Sequence, residues 1–324
     1  MPTVAIIGAG ISGLVCARKL ASRFDVRMFD KSRGLSGRMA TRRTGQVEAS
    51  FDHGAQYFTV RSNLITPMLE QWIDDGIVAL WRGNVCILRP DLKIQREPTP
   101  RYVAMPGMNA LGKHIARFLN VETNTRIAKA QRTAAGWHLT TTEGAKHGPF
   151  DVLVSTAPPQ QSLDILGDQS PFASTLASQR FDPCWATMIQ FEQVVPVSYD
   201  AAFVHENPLR WICRNNSKPG RDPDKECWVL HACPEWSKQH LEESPEQVTP
   251  QLLEAFSHAI GQPLGKIVQV TSHRWRYSAP SSPLEQGYLW DPESKLGIAG
   301  DWCSGARVEG AMLSGLTLAG KIGG

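Results

Sequence analysis

A glycine-rich segment near the N-terminus, Gly8-Ala9-Gly10-Ile11-Ser12-Gly13, constrains the fold of this chain more than any other stretch. It follows an apolar run typical of a buried strand and precedes a run compatible with a helix. In this G-x-G-x-x-G pattern, Gly8 permits a tight turn, Gly10 leaves room for a pyrophosphate beside the backbone, and Gly13 lets helix and strand pack closely. The pattern predicts a dinucleotide-binding βαβ unit whose first helix points its N-terminus at the pyrophosphate.

An acidic residue at the end of the next predicted strand supports this interpretation. Asp25 to Asp30 is predicted to be that strand, and Asp30 lies 20 residues beyond Gly10, where an acid binds a ribose hydroxyl in such folds. The following segment, Lys31 to Thr41, contains glycines and basic side chains, so we expect a loop that wraps a phosphate-bearing ligand.

Periodicity predicts the remaining elements of the first half of the chain. Residues 84–104 are strand-like but broken by prolines. The other predictions are helices over 14–22, 64–82 and 109–118 and strands over 121–129, 137–141 and 151–157.

The second half of the chain has a different character. Seven of the ten tryptophans lie between Trp185 and Trp302. Alternation over 185–191 and 226–231 predicts antiparallel strands, with one helix over 247–260. The fold class is therefore an α/β Rossmann-like domain plus a smaller α+β domain with a mainly antiparallel sheet. We expect the first domain to comprise residues 1–62, 100–162 and 286–324, and the second 63–99 and 163–285.

Composition limits the function classes. The 324 residues suggest about two domains, and 42% hydrophobic and 20% charged residues indicate a globular protein. A net charge of +3 does not imply a nucleic-acid partner, and no run approaches the roughly 18 apolar residues of a membrane span. The fingerprint begins at Thr3, so we expect no leader peptide.

The cysteines favour a reduced, cytoplasmic protein. There are seven of them, scattered and odd in number. Cys227, His231 and Cys233 lie close together but lack paired C-x-x-C spacing, so we expect packing roles there and no metal site.

A second motif closes the chain. Leu296 to Trp302 is predicted to be a short strand that ends in Gly300-Asp301, followed by a helix rich in small residues. An acid at a strand end can bind a ligand hydroxyl, and the free N–H groups of the helix can stabilise electron density on a ligand. The small residues favour close approach to a ligand or to another element.

The N-terminal fingerprint with Asp30, together with Gly300-Asp301 and the Val308 to Gly315 segment, resembles the FAD-binding amine-oxidase superfamily. Within that superfamily, the segments over 30–39, 52–58 and 300–310 are similar to those of the bacterial renalases. Shorter matches at 215–219, 230–232 and 236–237 extend the similarity over essentially the full length. The resemblance implies an amine-oxidase or p-hydroxybenzoate-hydroxylase-like architecture and non-covalently bound FAD. It also implies oxidation of 1,2- and 1,6-dihydronicotinamide isomers to NAD(P)+, with O2 reduced to hydrogen peroxide.

The predicted cofactor site combines the fingerprint with residues that the resemblance implies. Gly54 is expected to let the backbone approach a planar ring. The whole set is Gly8, Gly10, Ser12, Gly13, Asp30, Lys31, Arg38, Met39, Gly54, Ala55, Gln56, Ile127, Asp301, Arg307 and Val308.

The chemistry predicts an aromatic, polar substrate site without a catalytic carboxylate or triad. A dihydronicotinamide that loses hydride becomes an aromatic cation, so the protein needs only to position the two rings. Arg61 could also bind the pyrophosphate or ribose of the substrate. The candidates are Tyr57, Phe58, Thr59, Arg61, Trp211, His231, Trp275 and Tyr277.

Three alternative classes of function are compared with this one. The same scaffold serves amine oxidases and desaturases, and a flavin-carrying binding protein would share the motifs. A reductase or monooxygenase that uses NADPH is disfavoured because no second G-x-G-x-x-G occurs, and a disulfide reductase because no redox cysteine pair follows the first βα unit. Covalent attachment of flavin through Cys303 is less favoured than a buried structural cysteine.

Overall fold

A mostly parallel six-stranded sheet forms the first domain of the computed structural model, which describes residues 1–44, 49–89, 95–96, 99–168 and 170–324. The order is β19-β20-β13-β1-β2-β9, and only β19 runs antiparallel to its neighbour. The strands come from separate parts of the chain: β1 (Thr3–Ile7), β2 (Asp25–Phe29), β9 (Asn120–Glu122), β13 (Val152–Ser155), β19 (Leu289–Asp291) and β20 (Leu296–Ile298).

Two helices pack against each other beside this sheet. Helix α1 (Ile11–Leu20) follows β1, and α9 (Val308–Gly323) ends the chain. A Cβ built on Gly315 of α9 would lie 2.2 Å from the carbonyl oxygen of Ser12. The small residues of α9 therefore serve its approach to α1. The shorter helices of this region are α3 (Asn109–Ile115) and α8 (Asp301–Ser304).

A seven-stranded sheet forms the second domain, in the order β18-β14-β17-β16-β15-β6-β7. It is antiparallel except where β6 pairs with β15. Helix α7 (Pro245–Ile260) packs on it through Val248, Leu252 and Phe256, which are fully buried. The strands are β6 (Val85–Leu88), β7 (Gln95–Arg96), β14 (Phe181–Phe191), β15 (Ala201–Val204), β16 (Leu209–Arg214), β17 (Glu226–Ala232) and β18 (Ile267–Pro280).

Smaller elements complete the two domains. Three short sheets consist of β3 (Thr41–Arg43) with β4 (Ser50–Asp52), β5 (Val78–Trp81) with β8 (Arg101–Ala104), and β10 (Ile127–Thr133), β11 (Gly136–Thr141) and β12 (Lys146–Phe150). The further helices are α2 (Thr66–Asp74), α4 (Pro159–Leu166), α5 (Ala173–Ser178) and α6 (Pro234–Gln239), with 3-10 turns at Gly37–Met39, Ala116–Phe118 and Asn215–Ser217.

The predicted fold class is confirmed, but several predicted elements are wrong. The helix predicted over 64–82 ends at Asp74, because Gly76 takes a φ of +70° and the chain continues as β5. The strand predicted over 121–129 is two strands of different sheets, which are separated by Asn124 at a φ of +53°. The second domain also contains α5 and α6 besides the one helix predicted. The prolines at 90 and 98 lie outside the described residues, and the domain boundaries stay a prediction.

Two other sequence predictions concern cysteines and membranes. All seven cysteines are free thiols. Cys303 is fully buried, and burial raises the pKa of its thiol far above the ordinary value. Within the described ranges, every helix is too short or too polar to span a bilayer, and no cluster of His, Cys, Asp or Glu side chains has the grouping needed to hold a metal ion.

Candidate active site

The glycine turn after β1 has the geometry that its pattern predicts. Gly8 has a φ of +104°, and a Cβ there would lie 2.7 Å from Thr156 Oγ1. A Cβ on Gly13 would lie 2.2 Å from the Gly8 carbonyl oxygen, so the helix can pack this closely only with glycine there. Gly10 precedes α1, and the space in its Cβ direction is open. The turn therefore leaves an uncovered backbone surface at the start of α1.

Asp30 holds this turn in place. Its Oδ2 accepts a hydrogen bond from Ala9 N at 2.6 Å, and its Oδ1 accepts one from Ser32 N at 2.7 Å. Lys31 donates to Gln161 Oε1 at 3.0 Å, and Ile127, the first residue of β10, is buried in a core cluster with Ile7 and Phe29. These side chains lie at the carboxyl edge of β2 or behind it rather than along the cavity described next.

A cavity of about 600 Å³ extends between the two domains. Most of the predicted cofactor residues line it, namely Gly10, Ser12, Arg38, Met39, Gly54, Ala55, Gln56, Asp301, Arg307 and Val308. Most of the predicted substrate residues line it as well, namely Tyr57, Phe58, Thr59, Arg61, Trp211, His231 and Trp275. Gly8, Gly13, Asp30, Lys31 and Ile127 do not line it. Tyr277 does not either, and packs edge-on against Phe181 with ring centroids 6.2 Å apart.

The start of α1 fits an anionic group. Ser12 is 5% exposed, and its Oγ has no hydrogen-bond partner among the described residues. Ser12 and Gly10 both line the cavity, where the first N–H groups of α1 and the positive end of its dipole are directed. A phosphate would satisfy the orphaned hydroxyl and these N–H groups together. The residues present therefore fit a dinucleotide cofactor.

Arg38 and Asp301 form an ion pair in the cavity wall. Arg38 donates from Nη1 and Nη2 to the two carboxylate oxygens of Asp301, each at 2.7 Å, and also from Nη1 to Ser278 O at 2.9 Å. Such bidentate pairs are rigid. This pair joins the 3-10 turn after β2 to the start of α8.

The close backbone approach predicted at Gly54 has a different cause from the one expected. A Cβ there would lie 1.9 Å from the carbonyl oxygen of Arg38, which also accepts a hydrogen bond from Ala55 N at 2.8 Å. Glycine is therefore required because two backbone segments meet, although Gly54 also lines the cavity.

A buried polar network behind Gln56 escaped the sequence analysis. Lys218 Nζ donates to Gln56 Oε1 at 2.8 Å, and lies 3.4 Å from Asp52 Oδ2. Arg221 donates to the same carboxylate at 2.5 Å. Burial alone would raise the pKa of Asp52, but Lys218 and Arg221 hold it below its ordinary value. Asp52 and Lys218 are 166 residues apart, and no local pattern connects them.

Aromatic rings gather at one end of the cavity. Trp211 lies 4.7 Å from Phe203 and 5.5 Å from Tyr57, measured between ring centroids. The guanidinium of Arg101 lies 5.0 Å from the centre of the Tyr57 ring. Phe203, Arg101 and Arg210 all line the cavity but were not predicted. Each lies in a strand whose facing depends on pairing that the sequence does not reveal.

Two histidines beside the cavity are held neutral. His231 contacts the carbonyl oxygen of His53 at 3.2 Å, and Trp275 Nε1 donates to the same oxygen at 2.9 Å. Burial lowers the pKa of His231 to about 3 and that of His53 to about 4. His231 therefore presents an uncharged ring to the cavity at neutral pH.

The arrangement is that of an oxidoreductase with a dinucleotide cofactor, since a Rossmann-like domain and an antiparallel domain share one cavity. Residues 6–72 match the model of the NAD(P)-binding Rossmann-like domain, and residues 82–323 match that of the flavin containing amine oxidoreductases. The second match covers well over half of the chain. This chain therefore belongs to the flavin containing amine oxidoreductase family, and FAD is its cofactor.

Relatives and solved structures agree with this family. Renalase from Mus musculus is 22% identical over 307 residues, which cover 88% of this chain and 87% of the relative. A putative protoporphyrinogen oxidase from Exiguobacterium superposes with a TM-score of 0.79 at 13% identity, covering 99% of this chain and 98% of the other. Cyclohexylamine oxidase from Brevibacterium oxydans does so with a TM-score of 0.76 at 13% identity and the same coverage. The two structures show the shared fold.

Proposed function

We propose that this flavoprotein is a renalase of the bacterial type that oxidises 1,2- and 1,6-dihydro isomers of NAD(P)H to NAD(P)+. When bound, FAD would supply the hydride acceptor for this oxidation, and its reoxidation by O2, with a proton from solvent, would yield hydrogen peroxide. The rival function on this scaffold is amine oxidation or desaturation. The charge of the cavity and the chemistry of its wall favour the first function.

The positive charge of the cavity lining is the main support for the proposal. Among the described residues that line the cavity, the arginines are Arg38, Arg61, Arg101, Arg210 and Arg307, and Asp301 is the one carboxylate, already paired with Arg38. An alkylammonium substrate would enter a positive field in which the described lining residues offer no free carboxylate to bind it. A substrate that carries a pyrophosphate would be attracted by the same field. The charge of the cavity therefore favours an anionic dinucleotide over an amine.

The cavity wall also suits a planar ring that loses hydride. Tyr57, Trp211 and Trp275 offer aromatic surface for stacking. The oxidised product is an aromatic cation that forms without removal of a proton, so a strong base is not required. His231, with its pKa lowered to about 3, is a weak base and stays neutral. These residues position the ring and exclude water rather than move protons.

The cofactor assignments follow the same proposal. We assign the pyrophosphate of FAD to the start of α1 at Gly10 and Ser12, and a ribose hydroxyl to Asp30, with Gly8 and Gly13 shaping the turn. The remaining assigned contacts are Lys31, Arg38, Met39, Gly54, Ala55, Gln56, Ile127, Asp301, Arg307 and Val308. Tyr57, Phe58, Thr59, Arg61, Trp211, His231 and Trp275 are assigned to the substrate. Tyr277 would act on the substrate only through Phe181, against which it packs.

Anaerobic reduction of the bound flavin tests the proposal. The purified yellow holoprotein is mixed with 1,2- and 1,6-dihydro-NAD(P) and, separately, with primary amines, while flavin absorbance is followed. We expect rapid bleaching by the dihydro isomers and none by the amines. Rapid bleaching by an amine with no response to the isomers would assign the protein to amine oxidation. Failure of both substrate classes would also contradict the proposed activity.

A further inference from the structure

A β-bulge in the cavity wall turns two consecutive side chains toward the same space. Leu209 of β16 pairs with Ala232 and Trp211 pairs with His231, so Arg210 is the extra residue of the bulge. Successive residues of a regular strand point to opposite faces, yet Arg210 and Trp211 both line the cavity. Leu209 and Ile212 are fully buried in the core on the other side of the sheet. Bulges that re-aim side chains are common beside active sites.

The indole of Trp211 offers an unused donor. Trp211 is 4% exposed, and its Nε1 has no hydrogen-bond partner within the described part of the chain. A buried donor without a partner destabilises the folded protein because its hydrogen bond to water is lost. Trp211 lines the cavity, so an acceptor on a bound ligand can supply the missing hydrogen bond.

Two guanidinium groups accompany this donor. Arg101 is 4% exposed and stacks over Tyr57 at 5.0 Å and Phe203 at 6.0 Å, so its charge is fixed at the aromatic end of the cavity. Arg210 is exposed to the cavity, and no carboxylate of the described residues forms an ion pair with it. Asp182 pairs instead with Lys238 at 2.7 Å. Arg210 therefore presents a guanidinium without an ion pair among the described residues next to Trp211.

We propose that Arg210, Arg101 and the Nε1 of Trp211 form a subsite for the phosphate groups of the substrate. The nature of the substrate rests on the proposed function, whereas the anion site itself rests on the bulge, the orphaned indole donor and the Arg210 guanidinium. A guanidinium can bind two phosphate oxygens at once, and the indole N–H can bind a third acceptor. The subsite makes the enzyme select dihydronicotinamides that carry phosphate over the corresponding ribosides.

Equilibrium binding to the oxidised holoprotein tests the subsite without turnover. Calorimetry compares NAD+, ADP, inorganic pyrophosphate and nicotinamide riboside on the parent protein and on Arg210→Ala, Trp211→Phe and Arg132→Ala. Arg132 lies exposed on β10 and is not one of the cavity-lining residues, so it is the matched control. Because hydrogen bonds to charged groups contribute about 1.5–3 kcal/mol, Arg210→Ala should weaken NAD+ and ADP about tenfold to a hundredfold. The affinity for nicotinamide riboside should change less than about twofold in Arg210→Ala. Trp211→Phe keeps a ring for stacking but removes the N–H donor, so it should weaken the phosphate ligands more than the riboside.

The outcomes separate this subsite from the proposed reaction. Equal weakening of riboside and phosphate ligands by Arg210→Ala, or no weakening of either, overturns the subsite. If ADP binds more strongly than pyrophosphate, the site takes a dinucleotide ligand, as proposed. If pyrophosphate binds more strongly than ADP, the site takes a free anion and the proposal is overturned. If dihydro isomers bleach the flavin of Arg210→Ala with unchanged affinity, the reaction stands and the subsite fails. If no isomer bleaches the flavin but ADP affinity depends on Arg210, the subsite stands and the reaction fails.

Discussion

His53 is a buried neutral side chain next to the cavity-lining Gly54, and it makes the stability of the protein depend on pH. The residue is 6% exposed, and its ring lies 5.0 Å from those of His273 and Trp275. Burial, with smaller contributions from His273 and Arg42, lowers its pKa from 6.5 to about 4. The unfolded chain therefore binds a proton between these values that the folded protein does not bind.

The free energy of unfolding should consequently fall as the pH decreases from about 6.5 to about 4. Each such histidine contributes a slope of about 1.4 kcal/mol per pH unit, and its stabilising effect is fully present above pH 6.5. We expect His53→Phe to flatten the slope by about that amount. Urea unfolding of the holoprotein over a series of pH values measures it, with exposed His258→Asn as the control. An unchanged slope in His53→Phe would show that this ring is charged in the folded state.

Residues whose roles are local were predictable, and residues with distant partners were not. Gly13 packs against the Gly8 carbonyl within one strand–turn–helix, so the spacing of these two glycines is sufficient to predict the turn. Gly54 was predicted to contact a ligand. Glycine is needed there, however, because a side chain would collide with the backbone of Arg38, which follows a different strand. Arg210 was missed because a bulge, which depends on the pairing of β16 with β17, decides its direction.

At the scale of elements, the position of α1 depends on α9. Gly315 allows α9 to approach the Ser12 carbonyl, and the side chain of Val15 lies 2.9 Å from the same Cβ position. Since Ser12 belongs to the first turn of α1, movement of α9 would displace the N-terminus that faces the cavity. The C-terminal helix therefore supports the cofactor site that begins at the other end of the chain.

Replacing Gly315 with alanine should separate these helices. A Cβ at 2.2 Å from backbone oxygen has no room, so we expect a loss of about 1–3 kcal/mol in the free energy of unfolding and weaker retention of FAD. Gly320→Ala lies on the same helix with open space at its Cβ, and should be neutral or stabilising by up to about 1 kcal/mol. Flavin occupancy after dialysis and thermal unfolding measure both effects. Full occupancy and unchanged stability in Gly315→Ala would contradict the packing argument.

The helix prediction over 64–82 shows why element boundaries were harder to obtain than element types. Leu69 and Trp72 lie one turn apart on α2 and are buried, whereas the neighbouring apolar residues Leu64 and Ile73 are exposed. Beyond Gly76, however, Val78 and Trp81 are buried because β5 pairs with β8. The apolar pattern continues while the backbone changes from helix to strand. Only the pairing of β5 with β8 distinguishes the strand from a continued helix.

At the scale of the molecule, the network around Asp52 connects the two domains. Asp52 ends β4 and also accepts hydrogen bonds from Thr41 Oγ1 at 2.7 Å and Met108 N at 2.9 Å. Lys218 and Arg221 come from the connection between β16 and β17 of the seven-stranded sheet. Arg221 also donates to Ala104 O of β8 at 2.7 Å. One carboxylate thus holds two buried cations at the junction behind the cavity.

Asp52→Asn should weaken the contact between the two domains and show how much the ion network contributes to their cooperative unfolding. Removing one partner of a buried ion network costs about 3–5 kcal/mol, because the remaining charges stay buried without compensation. We expect a lower unfolding temperature and, in calorimetry, separate transitions for the two domains in place of one. Glu242→Gln removes an exposed partner of Arg276 and should have little effect. A single transition at the parent temperature in Asp52→Asn would show that the two domains are coupled through other contacts, with the ion network contributing little to their association.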